Sequence, residues 1–191
     1  MKDKLTEQSI LLFEKKGFSE TSIQDIVNSL GVTKGTFYYY FESKEQLLMD
    51  IHDDYITNLL ARQHRIIDNE NLKHKEKLMG IIHLLITDIA EKGPSARVFF
   101  REVRNLTSGN IESIKQKRNQ FRLNIEKVVS EGSIHGEFRE DLRPDMLAFA
   151  ILGVTNWSYN WYKTTGDVAP EELVQIYSDM ILTGIASSKS V

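Results

Sequence analysis

Lys34, Gly35 and Thr36 put a cation, a residue without a side chain and a small hydroxyl side by side, directly after Thr33. That set suits contact with a polyanion. Lys34 can neutralise a phosphate or donate to the acceptors of guanine, Gly35 lets the backbone come close, and the methyl or hydroxyl of Thr36 can meet a base edge. Lys44 stands near the start of a further helical segment, where the helix dipole disfavours a cation. A solvated ammonium is one account of it, and a phosphate partner accounts better for the placement. Other chemistries are thinly supplied. His52, His64, His74, His83 and His135 form no metal-binding i,i+4 pair, and no HExxH, GxSxG or phosphate-loop pattern occurs. With no cysteine in the chain, disulfides, a cysteine zinc site and thiol chemistry are excluded. An enzyme, a metal centre and a resident cofactor are all unexpected.

The residues that face a polyanion need a short, rigid scaffold, and the segment 21–48 spells one. Ile23, Ile26, Val27 and Leu30 recur at helical spacing, Gly31 interrupts, and a second short segment follows from Thr33 to Tyr40. That is the pattern of a helix-turn-helix, whose second helix presents its N-terminal residues to a major groove. Thr21 with Gln24 and Ser22 with Asp25 are both candidate N-caps, and only the first pair fits the usual capping-box formula. Gly31 can take the left-handed conformation that closes a helix, Thr33 caps the next one, and Ser43 with Gln46 forms another capping box. Phe37, Tyr40 and Phe41 lie at helix-like spacing and are expected to fill the small core beneath the reading surface.

The run Lys34-Gly35-Thr36-Phe37-Tyr38-Tyr39-Tyr40-Phe41, followed by Ser43-Lys44-Glu45 and Leu47-Leu48, resembles the N-terminal domain of the TetR family of bacterial transcriptional regulators. Thr21-Ser22, Asp25-Ile26, Gly31-Val32, Leu12-Phe13 and Gly17-Phe18 fit it too. The resemblance implies a phosphate-contacting role for Tyr38, a more variable DNA-facing position for Tyr39, and cap hydroxyls at Thr21 and Ser22 that also face the DNA backbone. With Thr33, Lys34, Gly35, Thr36 and Lys44 these make the expected DNA-binding set. One departure is Val27, where the family usually has alanine within a packed helix pair. The implied function is a ligand-responsive repressor, released from a double-stranded DNA operator by a small effector. A helical interaction protein that keeps the reader without using DNA is the alternative.

The chain has 191 residues, 41% of them hydrophobic, with a net charge of −3. That is enough for one large or two small domains with a real core. No apolar run approaches the roughly 18 residues of a membrane span, and no signal-peptide pattern opens the sequence, so a cytoplasmic protein without membrane association is expected. The first 50 residues carry six Lys and eight acidic groups, which implies modest non-specific affinity for DNA and a shallow dependence on salt.

Helical periodicity continues to the end, giving an all-α fold of about nine helices: a helix-turn-helix domain over 1–48 and a helical effector-binding and dimerisation domain over 49–191. A long helix runs from Ser43 to about Asn69, and others follow from His74 to Glu91, from Pro94 to about Leu106 and from Ile111 to Glu131. Thr107 to Asn110 reads as a turn, 132–143 as a loop, and two last helices start near Pro144 and Pro170. These two have apolar cover on more than one face. Leu147, Ile151 and Val154, with Leu173, Ile176, Tyr177, Met180 and Gly184, form the expected homodimer interface; burial inside a monomer is the competing account. The run NWSYNWY from Asn156 to Tyr162 resembles the C-terminal part of TetR-family members that respond to acyl-CoA thioesters of fatty-acid or sterol breakdown. Phe99, Phe100, Val103, Phe121 and Ile125 are candidates to line an acyl channel with Trp157 and Trp161, and Arg104 and Arg122, with Arg97 and Arg101, to meet CoA phosphates. Ordinary core packing and surface ion pairs compete with each of these roles. A hydrophobic drug or other amphipathic molecule is the second effector class.

Overall fold

A computed structural model describes residues 1–186. Nine α-helices form among them: α1 (Lys2–Lys16), α2 (Ile23–Ser29), α3 (Lys34–Tyr40), α4 (Lys44–Ile67), α5 (His74–Glu91), α6 (Gly93–Arg101), α7 (Ser108–Ile134), α8 (Pro144–Trp161) and α9 (Pro170–Ile185). A 3-10 turn at Val103–Asn105 separates α6 from α7. No β-strand occurs among the described residues, although an antiparallel bridge joins Phe138 to Ala186. The all-α architecture follows from the sequence periodicity, and the starts of α6, α8 and α9 each carry the expected proline, whose missing N–H costs nothing there.

The helices sort into two compact units. The first contains Met1–Thr57 and Lys92–Gln116, the second Asn58–Glu91 and Lys117–Val191, so the first unit continues past Leu48 and takes in a second stretch of chain. Its core is built from Leu5, Phe13, Phe18, Ile26, Val27, Phe37, Phe41, Leu47 and Leu48, all buried. Phe13 and Phe18 meet edge to face at 5.2 Å. Val27, where smaller alanine is usual, is fully enclosed. The later stretch adds Phe99, whose ring packs at 4.6 Å from Tyr55 and 5.5 Å from His52. Arg97 donates to Glu14 of α1 at 2.7 Å.

In the second unit α5 packs on α8 and α9 around Leu78, Ile81, Ile82, Ile125, Val128, Ile151, Leu173 and Ile185. A buried amide network crosses it. Gln63 donates to the Phe121 carbonyl at 2.9 Å and accepts from Asn124 at 2.8 Å, so both ends of this buried amide have a partner. Glu137 clips the start of α5 by accepting from the backbone N–H of Lys75 at 2.9 Å and from the His74 ring at 2.7 Å.

Three boundaries differ from the sequence reading. The helix expected to run to about Leu106 ends at Arg101, and the chain tightens into the 3-10 turn that follows. Ser108, Gly109 and Asn110, read as part of a turn, open α7, because Ile111 N–H already bonds the Thr107 carbonyl at 2.8 Å. Gly132, read as the start of a loop, lies inside α7. A Cβ there would fall on the Phe138 ring, so this glycine serves a close approach and not a bend.

Candidate nucleic-acid interface and effector residues

The reading element is assembled by caps. Ser22 and Asp25 form a complete capping box, with Ser22 Oγ accepting from Asp25 N–H at 3.1 Å and Asp25 Oδ2 accepting from Ser22 N–H at 2.9 Å. The expected box of Thr21 with Gln24 is not the one that forms, because an Asp carboxylate returns the bond as well as a Gln does. The backbone N–H and then the hydroxyl of Ser22 hold the Asp25 carboxyl below the usual carboxylate range, against the opposing effect of desolvation. Gly31 follows α2 at φ 65°, as expected of a left-handed closure. Thr33 Oγ1 then accepts from Thr36 N–H at 3.3 Å and opens α3. At the start of α4, Ser43 accepts from Gln46 N–H at 3.0 Å while the Gln46 side chain goes forward to Asp50 at 2.7 Å, which leaves a plain cap in place of the expected box.

On α3, Phe37 is fully buried, whereas Tyr38 is 55% exposed and Tyr39 81% exposed. Thr33, Lys34 and Gly35 are exposed beside them, with Thr36 half-buried. A Cβ on Gly35 would meet only Thr33 Oγ1, at an ordinary 3.5 Å, so internal packing does not require a glycine here. Tyr40 departs from expectation. It is exposed, and its ring stands edge-on to Tyr39 at 4.8 Å. α3 ends at Tyr40 and Phe41 continues in extended backbone, so the two aromatics do not share one helical face and Phe41 reaches the core alone.

Two residues expected at the DNA surface are turned inward. Thr21 is fully buried, and its hydroxyl donates to the Gly17 carbonyl at 2.8 Å. Lys44 donates to the carbonyls of Phe18 and Thr21 at 2.8 and 2.7 Å, with its ammonium 4.2 Å from the Phe18 ring centre. Those acceptors account for a cation at a helix start, and no phosphate is needed to explain it.

The candidate effector residues divide between the two units. In the first, Phe99 is buried, Phe100 stands edge-on to it at 5.3 Å, Val103 is half-buried and Arg104 exposed. In the second, Phe121 and Ile125 are core residues. Arg122 pairs with Glu126 at 2.7 Å and lies 4.8 Å over the Phe149 ring, so its guanidinium already has partners. Trp157 is 64% exposed and Trp161 is also exposed, a placement that does not suit lining for an enclosed channel. Arg97 is likewise engaged, with Glu14. An open pocket of about 400 Å³ in the second unit is lined by Arg62, Arg65, His83, Glu91 and Glu171 among others, none of them singled out from the sequence.

The expected dimer stripe is split. Ile151 and Leu173 are buried in the second unit; Leu147, Val154 and Tyr177 are half-buried, the last with its hydroxyl 3.2 Å from Ser158 Oγ; Ile176, Met180 and Gly184 are exposed. Sequence reasoning missed the outer face of α8, where Met146, Phe149, Gly153, Trp157 and Trp161 recur at helical spacing and all are exposed. The signal was present as a 3.6-residue period, but it overlapped two other apolar stripes on the same helix.

A capped helix-turn-helix with an outward-facing second helix, followed by a helical body, is the architecture of a DNA-binding protein of the helix-turn-helix class. The chain belongs to the TetR family: residues 5–51 match the profile of bacterial regulatory proteins of the tetR family, and residues 71–185 that of the tetracyclin repressor-like C-terminal domain. It is therefore a transcriptional regulator and not an enzyme. It is 27% identical over 190 residues to the HTH-type transcriptional repressor KstR2 of Mycolicibacterium smegmatis, covering 98% of this chain and 92% of that one. The structure of the ketosteroid transcriptional regulator KstR2 of Mycobacterium tuberculosis superposes with a TM-score of 0.91 at 25% identity, over 98% of this chain and 95% of that one. AibR, solved with isovaleryl coenzyme A and operator DNA, shares the fold at a TM-score of 0.85 and 22% identity, over 94% of this chain and 96% of that one.

Proposed function

We propose that this protein is a homodimeric repressor that binds an operator through α3 and leaves it when an acyl-CoA thioester binds the helical body. The observation that carries the DNA-reading half is the exposure of α3: Phe37 anchors it from below, while Lys34, Gly35, Tyr38 and Tyr39 are left to the solvent. A helix so presented can enter a major groove, with Lys34 and Tyr38 on phosphates and Thr36 and Tyr39 near base edges. Two copies are needed to occupy two half-sites, and the exposed apolar faces of α8 and α9 supply a surface for pairing. A protein that reads chromosomal DNA works in the cytoplasm.

The effector class rests on the NWSYNWY resemblance, and the fold itself accommodates a CoA thioester and DNA in AibR. Release follows from linkage: a ligand that favours an arrangement of the dimer unable to span both half-sites must weaken DNA binding by its differential affinity. The test is equilibrium titration of a duplex selected by the protein from a random pool, with and without a series of short-, medium-, long-chain and ring-bearing acyl-CoA thioesters, with free CoA as control. At least one thioester should weaken binding. Unchanged affinity throughout the series would remove acyl-CoA as the effector, and a response to unrelated amphipathic compounds would put a hydrophobic drug-like ligand in its place.

A further inference from the structure

The turn between α1 and α2 holds its own chain in place through two side chains, and both were expected to touch DNA. Thr21 covers the Gly17 carbonyl at 2.8 Å. Lys44, from the first turn of α4, covers the carbonyls of Phe18 at 2.8 Å and Thr21 at 2.7 Å. The Phe18 ring, itself packed on Phe13 at 5.2 Å, lies 4.2 Å below the ammonium. An ammonium has three protons to donate. Two carbonyls and an aromatic face are three attractive partners, arranged across 26 and 23 residues of sequence.

We propose that Lys44 is a positioning residue, a cross-tie that fixes the α1–α2 turn to the start of α4 and thereby sets the angle at which α2 and α3 meet DNA. Directly after that turn comes Ser22, the cap of α2, so a shift of the turn moves the whole α2 start. The tie also joins the reader to α4, the helix that runs on from the first unit into residues of the second. Thr21 completes the same frame from within. This proposal rests on the DNA-reading function proposed above and assigns a different task to two of its residues.

A phosphate contact and a positioning tie predict different readouts. Loss of a phosphate contact weakens specific and non-specific DNA alike and lowers the salt slope by about one. Loss of a tie misplaces α3, so the selected duplex loses affinity while a random duplex does not. The experiment measures Lys44→Met binding to a selected and a random duplex across a salt series, with the dimer fraction and thermal melting recorded alongside. The expected result is about tenfold weaker binding to the selected duplex, unchanged random-duplex binding and an unchanged salt slope. Equal losses on both duplexes with a shallower slope would overturn the proposal in favour of a phosphate contact. A lower melting temperature with an unchanged specificity ratio would overturn it in favour of a purely structural role. Should Lys44→Met not fold, Lys44→Gln, which keeps two N–H donors without the charge, is read by its salt slope: an unchanged slope supports the tie and a slope lowered by about one overturns it in favour of a phosphate contact. If the wild-type protein selects no duplex at all, the DNA-reading function fails first and the tie has nothing to position.

Discussion

At the scale of the residue, the side chains that carry the reader are distinguished by where they end, and only part of that was legible. Lys34, Tyr38 and Tyr39 are exposed as their types and register implied. Thr21 and Lys44 meet partners that were not legible, because the sequence shows a hydroxyl and a cation but not the backbone carbonyls of Gly17, Phe18 and Thr21 that accept from them. Tyr40 was misread because the end of α3 comes one residue before Phe41, and spacing arguments fail where a helix stops. Gly35 allows a sharp test. Its neighbours leave room for a methyl group, and alanine favours a helix over glycine by up to about 1 kcal/mol. Gly35→Ala should therefore melt at the same or a higher temperature, yet bind the selected duplex about tenfold more weakly because the backbone can no longer come as close. Melting curves beside DNA titrations check it, and equal DNA affinity would show that this turn does not approach the duplex.

At the scale of the element, the positions of helix starts and closures were legible, since each needs only a few neighbouring residues, but neither expected capping box, Thr21 with Gln24 or Ser43 with Gln46, forms as such. Gly31 was expected to be left-handed and is, at φ 65°. Gly31→Ala should cost about 1–2 kcal/mol, the penalty of that conformation for an L side chain, read as a fall in thermal stability. Gly132 was misread because its reason is the ring of Phe138, six residues on and folded back against it, and a long-range contact leaves no local signal. Glu137 is a second long-range device. Burial pushes its carboxyl up, but the N–H groups of Lys75 and His74 outweigh that and hold it below the ordinary glutamic acid value. A carboxyl depressed in the folded state contributes stability that is complete above its unfolded value and is lost as pH falls through the folded one. The stability advantage of the wild type over Glu137→Gln should thus shrink as pH falls below the ordinary glutamic acid value and through the depressed one. Urea unfolding of both proteins along a pH series measures it, and an advantage that grows with acid would refute the clip.

At the scale of the whole molecule, the family was legible from about 50 N-terminal residues and the all-α architecture from helical periodicity along the whole chain, while the faces of α8 and α9 were not. Several apolar stripes on one helix can be ranked only when the body that covers some of them is in view. With Phe149 55% exposed and Met180 53% exposed, charge at either should disturb pairing and not folding. Phe149→Asp and Met180→Asp are expected to keep the helical signal and shift the protein to monomer, as measured by light scattering at micromolar concentration. Operator binding should fall with them. A dimer that survives both substitutions would move the pairing surface elsewhere.

The chain visits the N-terminal unit twice, first as Met1–Thr57 and again as Lys92–Gln116, and this sets how the protein can be taken apart. A fragment cut after α3 would lose Arg97 from against Glu14, and one cut in α4 beyond Tyr55 would lose Phe99 from against that ring as well, leaving bare apolar surface where α6 had been. Transplanting the reader onto a foreign body at a single splice point therefore strips it of α6, which packs on α1. The graft has to carry α6 and the beginning of α7 with it, and shuffling these genes by one crossover should yield mostly proteins that aggregate.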